Sequence, residues 1–182
     1  MNGKIDGNRQ KDASGRIIIN MTVNDDADFL SVFSQTETPV ISSDVADFLE
    51  SGVRTVNPKE QLALKIHSNC ITDNEKIIYA KAIRTYYKEK KQANDNELKR
   101  NNMIALTLLV IGILVLAVSV FMEFWLKNTV LAEVVDIIAW VLIWESADIA
   151  IFKNSSMRIN SRRYLAFEDI KIEYYDYSKI EN

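Results

Sequence analysis

Hydrophobic and polar residues alternate along three short segments of the chain. These segments are residues 16–23, 61–68 and 170–175. In the first of them, Ile17 and Ile19 lie on one side of the chain and Asn20 lies on the other. A period of two residues is typical of a β-strand with one buried face. We therefore predict three strands, contributed by both ends of the chain, and expect them to form one small sheet.

Apolar residues recur at helical spacing soon after the second alternating segment. Thr72 is followed three residues later by Glu75, which matches a capping box at a helix N-terminus. The aromatic and aliphatic residues that continue this spacing are Tyr79, Ile83, Tyr86 and Tyr87. We predict a long helix that either runs through Lys99 into the apolar block beyond or breaks near residues 94–96.

A shorter helix and two irregular stretches are predicted before residue 61. The shorter helix covers residues 44–50, with Ser43 as its N-cap and Gly52 as its stop. The polar and acidic residues 24–42 are expected to form a long loop. Residues 1–15 contain several charges and no apolar stretch, so they are expected to be disordered and to contain no signal peptide.

Two apolar blocks follow one another in the second half of the chain. Residues 103–122 are uncharged, and twenty helical residues span about 30 Å, the thickness of the hydrocarbon core of a bilayer. The second block, residues 131–152, is predicted to be a second span from its length and its neighbour, with a buried soluble helix as the alternative. Four acids interrupt this second block: Glu133, Asp136, Glu145 and Asp148.

Basic residues on either side of the two blocks predict the orientation. Residues 81–102 contain seven lysines and arginines and residues 153–163 contain four, whereas the turn between the blocks has only Lys127. Positive residues favour the cytoplasmic side, so we expect both termini in the cytoplasm and the protein in the cell (inner) membrane, with the basic residues contacting the lipid bilayer. A sheet built from both ends of the chain also requires both ends in one compartment.

The expected fold class is an α-helical two-pass transmembrane hairpin plus a small cytoplasmic α+β domain of about three strands and one long helix. In this organisation the N- and C-terminal strands share one sheet. The predicted regions are a disordered N-terminus at 1–15, an α+β region at 16–98, transmembrane helices at 103–126 and 129–152, and a cytoplasmic tail at 153–182 that contributes a strand.

Composition narrows the possible functions. The chain has 22 basic and 25 acidic residues and 48% hydrophobic residues, which excludes disorder for most of its length and gives no sign of nucleic-acid binding. No glycine-rich phosphate loop and no Cys or His pair at metal spacing is present, and the only histidine is His67. Asp25, Asp26 and Asp28 lack the glycine and the closing glutamate of a calcium loop. We therefore expect no enzymatic activity, catalytic residue, metal or cofactor.

The acids of the second block raise the free energy of inserting this segment into a bilayer. At about 100° per residue, they share half of the helix with two tryptophans, which defines a candidate polar face. Its residues are Asp136, Trp140, Trp144, Glu145 and Asp148. The other half, which includes Val135, Ile138, Leu142 and Ile149, is apolar and suits lipid. In the first block, the only hydroxyls that could partner the acids are Thr107 and Ser119.

Something must compensate these acids, because the first block contains no lysine or arginine. Protonation, self-association and a partner protein are the three possibilities. The functional hypothesis is a membrane-anchored interaction or oligomerisation module that forms a homo-oligomer or binds a membrane protein partner. The alternative is an oligomeric cation or proton conduit lined by the acidic face, of which a pore-forming effector would be a special case.

Overall fold

Seven regular elements follow one another along the chain in a computed structural model. The structure describes residues 10–35, 37–54, 56–126 and 129–176. The elements are β1 (Ile17–Thr22), α1 (Ser43–Val53), β2 (Leu62–His67), α2 (Asp73–Phe121), α3 (Thr129–Asp148), α4 (Asn154–Glu168) and β3 (Lys171–Tyr175). Two π-helical turns, Met122–Leu126 and Ile149–Lys153, follow α2 and α3.

The chain divides into two compact units. Residues 10–92 and 160–176 belong to the first, which we call the α/β unit, and residues 93–159 form the second, the helical unit. The helical unit therefore lies in the chain between β2 and β3.

The three strands form one parallel sheet in the order β1-β2-β3. This confirms the predicted sheet built from both ends of the chain. In its register, Ile19 lies opposite Leu64, and Leu64 lies opposite Ile172. Parallel pairs need a crossover connection, and α1 supplies the one between β1 and β2. The alternating pattern arises because Ile17, Ile19 and the matching residues of β2 face the helices and are buried.

Helix α1 begins and ends one residue or more away from its predicted limits. Its N-cap is Ser42, whose hydroxyl accepts a hydrogen bond from the Val45 N–H at 3.4 Å, and not Ser43. Gly52 lies inside the helix instead of stopping it. A Cβ there would lie 3.4 Å from Cγ2 of Ile19, so this turn of α1 packs against β1.

Helix α2 begins with the predicted capping box. The backbone N–H of Thr72 donates to Glu75 Oε2 at 2.7 Å, and the Glu75 N–H donates to Thr72 Oγ1 at 3.5 Å. The hydroxyl and backbone hydrogen bonds from Thr72 hold the pKa of Glu75 below its usual value. From Asp73 the helix continues without a break to Phe121, so the interruption considered near residues 94–96 does not occur.

Aromatic side chains from α2 and α4 form the centre of the core of the α/β unit. The rings of Tyr87 and Phe167 stack with centroids 4.1 Å apart, and both side chains are fully buried. The Tyr87 hydroxyl donates to the carbonyl oxygen of Ala46 at 3.3 Å, and burial raises the Tyr87 pKa. Helix α4 was not predicted, because residues 153–168 were interpreted from their charges alone.

The predicted irregular stretches fall partly outside the described residues. Residues 1–9 of the predicted disordered N-terminus are outside them. Residues 10–15 form a turn in which Asp12 Oδ1 accepts hydrogen bonds from the N–H groups of Ser14 and Arg16, both at 2.8 Å. Gly15 has φ 80°, the left-handed region that favours glycine. The described part of the 24–42 loop contains no helix or strand, apart from an isolated bridge between Leu30 and Ile41.

Candidate interaction face of the helical unit

Small residues at intervals of seven form the contact between α2 and α3. They are Ala105, Gly112 and Ser119 on α2 and Ala132, Ala139 and Ser146 on α3, and all six are buried. A seven-residue repeat keeps one stripe of each helix facing its neighbour. We call this contact the small-residue seam. Small residues in such positions allow two helix backbones to approach closely.

Two hydroxyls show that the helices of the seam are antiparallel. Ser119 Oγ donates to the carbonyl oxygen of Ala132 at 2.9 Å, and Ser146 Oγ donates to the carbonyl oxygen of Ala105 at 2.7 Å. Gly112 lies between these two bonds. A Cβ on Gly112 would lie 2.8 Å from Cγ1 of Ile143 and 3.3 Å from the Ala139 carbonyl oxygen, so this position has no room for a side chain.

Larger apolar residues border the seam on α3. Val135 and Leu142 are half-buried and Ile149 is buried, each three residues after a seam residue. These residues belong to the half of the helix that was expected to face lipid. In the structure this half packs towards α2, and only Ile138 of the four remains exposed. The repeat of small residues, and not the polarity of the two halves, determines which half of α3 packs against α2.

The candidate polar face of α3 points away from α2. At about 100° per residue, Trp140 and Trp144 lie roughly 100° and 140° around the helix from Ala139, the middle residue of the small-residue seam on α3. Their side chains are 61% and 71% exposed, respectively. Glu145 and Asp148 are exposed, as is Glu133, while Asp136 on one flank is half-buried. The helix therefore brings the two tryptophans and the acids together on the side that α2 leaves uncovered.

The two hydroxyls of α2 that were predicted to be partners for the acids donate to backbone oxygens. Thr107 Oγ1 donates to the carbonyl oxygen of Met103 at 2.9 Å, and Ser119 donates to Ala132 across the seam. A hydroxyl has one proton to donate, so in this arrangement neither proton is available to a carboxylate. Ala132, the residue that Ser119 contacts, lies about one turn before Asp136 on α3.

The acids of α3 have no cationic partner in the described part of the chain. No lysine or arginine there forms an ion pair with Glu133, Asp136, Glu145 or Asp148. The described residues also contain no group of three or more His, Cys, Asp or Glu side chains that could hold a metal ion. In the α/β unit, the single histidine, His67, stacks on the ring of Tyr175 with centroids 5.4 Å apart.

Asparagine side chains lie at the end of the seam where α3 passes through its π-helical turn into α4. Asn154 is fully buried, and its Nδ2 donates to Asn102 Oδ1 at 2.7 Å. Asn94 Nδ2 donates to the carbonyl oxygen of Met157 at 2.9 Å. The π-helical turn adds a residue to the seven-residue spacing, which brings Asn154 onto the side facing α2. None of these asparagines was among the residues predicted for the site.

One helix among the described residues is long and apolar enough to cross a membrane, judged by length and composition. It is the continuous helix Asp73–Trp125, whose apolar stretch lies mostly on the surface of the structure. Helix α3 does not meet the same criterion, because every 18-residue stretch of it contains at least three of its four acids.

Comparison of the chain with protein-family models, with curated proteins and with solved structures finds no match.

Proposed function

We propose that the chain is a two-pass integral membrane protein that self-associates through the exposed face of α3. Both termini lie in the cytoplasm, where the α/β unit acts as a membrane-anchored interaction module. The observation that supports this proposal best is the exposure of Trp140 and Trp144, which lie with the acids on the part of α3 that α2 leaves uncovered.

The cost of leaving this face in lipid supports self-association. A carboxylate near the centre of a bilayer costs on the order of 2.5–3.5 kcal/mol on insertion scales. Residues of the seam cannot stabilise these carboxylates. They are small, and their hydroxyl protons are donated to backbone oxygens. A second copy brings the same face, and two carboxyl groups that share one proton can hydrogen-bond with each other. The tryptophans then exclude lipid around that contact.

The distribution of charge in the helical unit supports the proposed orientation. Lys99 and Arg100 precede the first seam residue of α2, and Lys153 and Arg158 follow the last seam residue of α3. All four side chains are exposed. Because the helices are antiparallel, these basic residues lie at the same end of the pair, which the positive-inside rule assigns to the cytoplasm.

A cation or proton conduit is the second candidate function. The observation that favours it is that Asp136, Glu145 and Asp148 lie at different heights along the axis of α3. Glu145 and Asp148 are exposed. In an oligomer whose exposed faces converge, carboxylates at several levels would line a path across the membrane. The two candidates share the oligomer and differ in whether its interior conducts ions.

Paired substitutions on α3 and α2 test the self-association. We expect Trp140→Ala/Trp144→Ala to reduce the size of the assembly that the purified protein forms in detergent, measured by sedimentation velocity. The matched control is Val110→Ala/Leu114→Ala, which truncates two exposed residues one turn apart on α2. The control should sediment as the wild type does. An unchanged oligomer in the tryptophan variant would contradict the proposal.

Cation flux into liposomes separates the two candidates. The interaction module predicts no flux from the wild-type protein, and a normal oligomer for Asp136→Asn/Glu145→Gln. The conduit predicts flux that this neutralised variant loses while its oligomer persists.

A further inference from the structure

Two grooves of opposite charge lie beside the two outer strands of the α/β unit. The first, which we call the acidic groove, adjoins the end of β1 and the start of α1 and has a volume of about 410 Å³. Asp25, Asp28 and Asp44 line it, together with Phe48, whose ring is 42% exposed. Of the described residues that line this groove, none is a lysine or arginine.

The second groove lies between α2 and β3 and has a volume of about 490 Å³. We call it the basic groove, because Lys76, Lys81 and Arg84 line it and no described acid does. Ile77 lies among them, and its side chain is 71% exposed. Tyr174 of β3 completes the groove on its other side.

Most of the positive charge of the basic groove is uncompensated. Lys81 Nζ donates to the carbonyl oxygen of Glu37 and an Arg84 nitrogen donates to that of Ile170, both at 3.4 Å. A carbonyl group orients a cation but has no net charge with which to neutralise it. Among the described residues, only Lys76 of the three pairs with a carboxylate, that of Asp73 at 2.7 Å.

We propose that the α/β units of neighbouring copies associate head to tail, with the basic groove of one copy against the acidic groove of the next. Each groove combines charge of one sign with an exposed apolar residue, so Ile77 of one copy packs beside Phe48 of the other while the charges pair around them. The grooves belong to opposite outer strands of the sheet, β1 and β3. Each copy can therefore contact two neighbours.

Such a contact uses different surfaces on its two sides, and contacts of this kind form rings or open filaments. The inference rests on the proposed function in one respect: anchoring in one membrane gives all copies the same orientation, which favours a ring. It adds to that function a second contact, outside the membrane, and identifies the partner of the α/β unit as another copy of this chain. Because the paired charges lie at the surface, the contact should weaken as salt is added.

Charge reversal in the full-length protein tests this inference. One variant, Asp28→Lys/Asp44→Lys, makes both grooves basic, and another, Lys81→Glu/Arg84→Glu, makes both acidic. We expect each variant alone to associate about tenfold more weakly than the wild type at low salt, measured by sedimentation velocity in detergent. We also expect an equal mixture of the two variants to recover association, because the basic copies then alternate with the acidic ones. Recovery in the mixture also shows that both variants are folded.

The control is Lys59→Glu/Arg162→Glu, which changes the net charge equally at two exposed residues outside both grooves. It should associate as the wild type does. The head-to-tail contact is overturned if the two reversal variants also assemble normally, or if their mixture does not recover. In either case, loss of assembly in Trp140→Ala/Trp144→Ala would leave the proposed function intact. If instead only the charge reversals disrupt assembly, the α3 face is refuted and the groove contact stands.

Discussion

In the α/β unit the polar groups near the core bond within the unit, whereas in the helical unit the acids of α3 are left on the outside. Lys90 pairs with Glu50 at 2.5 Å, and the Tyr79 hydroxyl donates to Asp26 at 2.9 Å. In the described residues of the helical unit, the buried hydrogen bonds come from serine hydroxyls and asparagine amides, and the acids of α3 have no ion-pair partner there.

This difference indicates what each unit needs in order to be stable. The α/β unit has an aromatic core, and Lys90 and Tyr79 find their partners inside the unit. The helical unit has a well-packed seam but leaves two large tryptophans and several carboxylates uncovered. In water this face would expose a large apolar area, and in lipid it would expose charge. A second copy that covers it removes both costs.

The largest expected effect comes from removing the centre of the α/β core. We expect Phe167→Ala to lower the free energy of unfolding by about 3–5 kcal/mol, because the buried ring stacked on Tyr87 leaves a cavity. Leu165→Ala, on the exposed side of the same helix, should cost less than about 0.5 kcal/mol. Chemical denaturation in detergent measures both. Similar losses in the two variants would show that Phe167 is not central to the core.

A smaller effect is expected from filling the seam of the helical unit. Gly112→Leu should destabilise the α2–α3 pair by about 1–3 kcal/mol, because even a Cβ would come within 2.8 Å of Ile143. Ala117→Leu, at an exposed position of the same helix, is the control and should have little effect. Thermal unfolding in detergent, followed by helical circular dichroism, compares the two. Equal stability of both variants would contradict the packing of the seam.

The sequence predicts those parts of the fold in which the spacing of apolar residues follows the alternation of buried and exposed positions. The alternation in β1 and β2 identified two strands because every second residue faces the helices. The capping box at Thr72 identified the start of α2 because its hydrogen bonds are local. Helix α4 was not predicted, because its basic residues were interpreted only as an indication of membrane orientation. Tyr164 and Phe167 nevertheless have helical spacing, and both pack in the core.

The candidate site could be predicted only in part, for a related reason. Helical periodicity identifies which residues share a face, so the grouping of Trp140, Trp144 and the acids followed from the sequence. It does not say which face packs on the neighbouring helix. That choice depends on the small residues of both helices, such as Gly112 and Ala139, which repeat every seven residues along each helix.

Cysteine cross-linking tests the central claim most directly, which is that a second copy covers the exposed face of α3. Ile137 lies on that face, and Leu114 on the outer side of α2 is level with it in the register of the seam; both are exposed. In a Cys70→Ser background, Ile137→Cys should form disulfide-linked dimers in membranes under oxidation, and Leu114→Cys should not. Absence of dimers from Ile137→Cys, or equal dimers from both positions, would contradict the account.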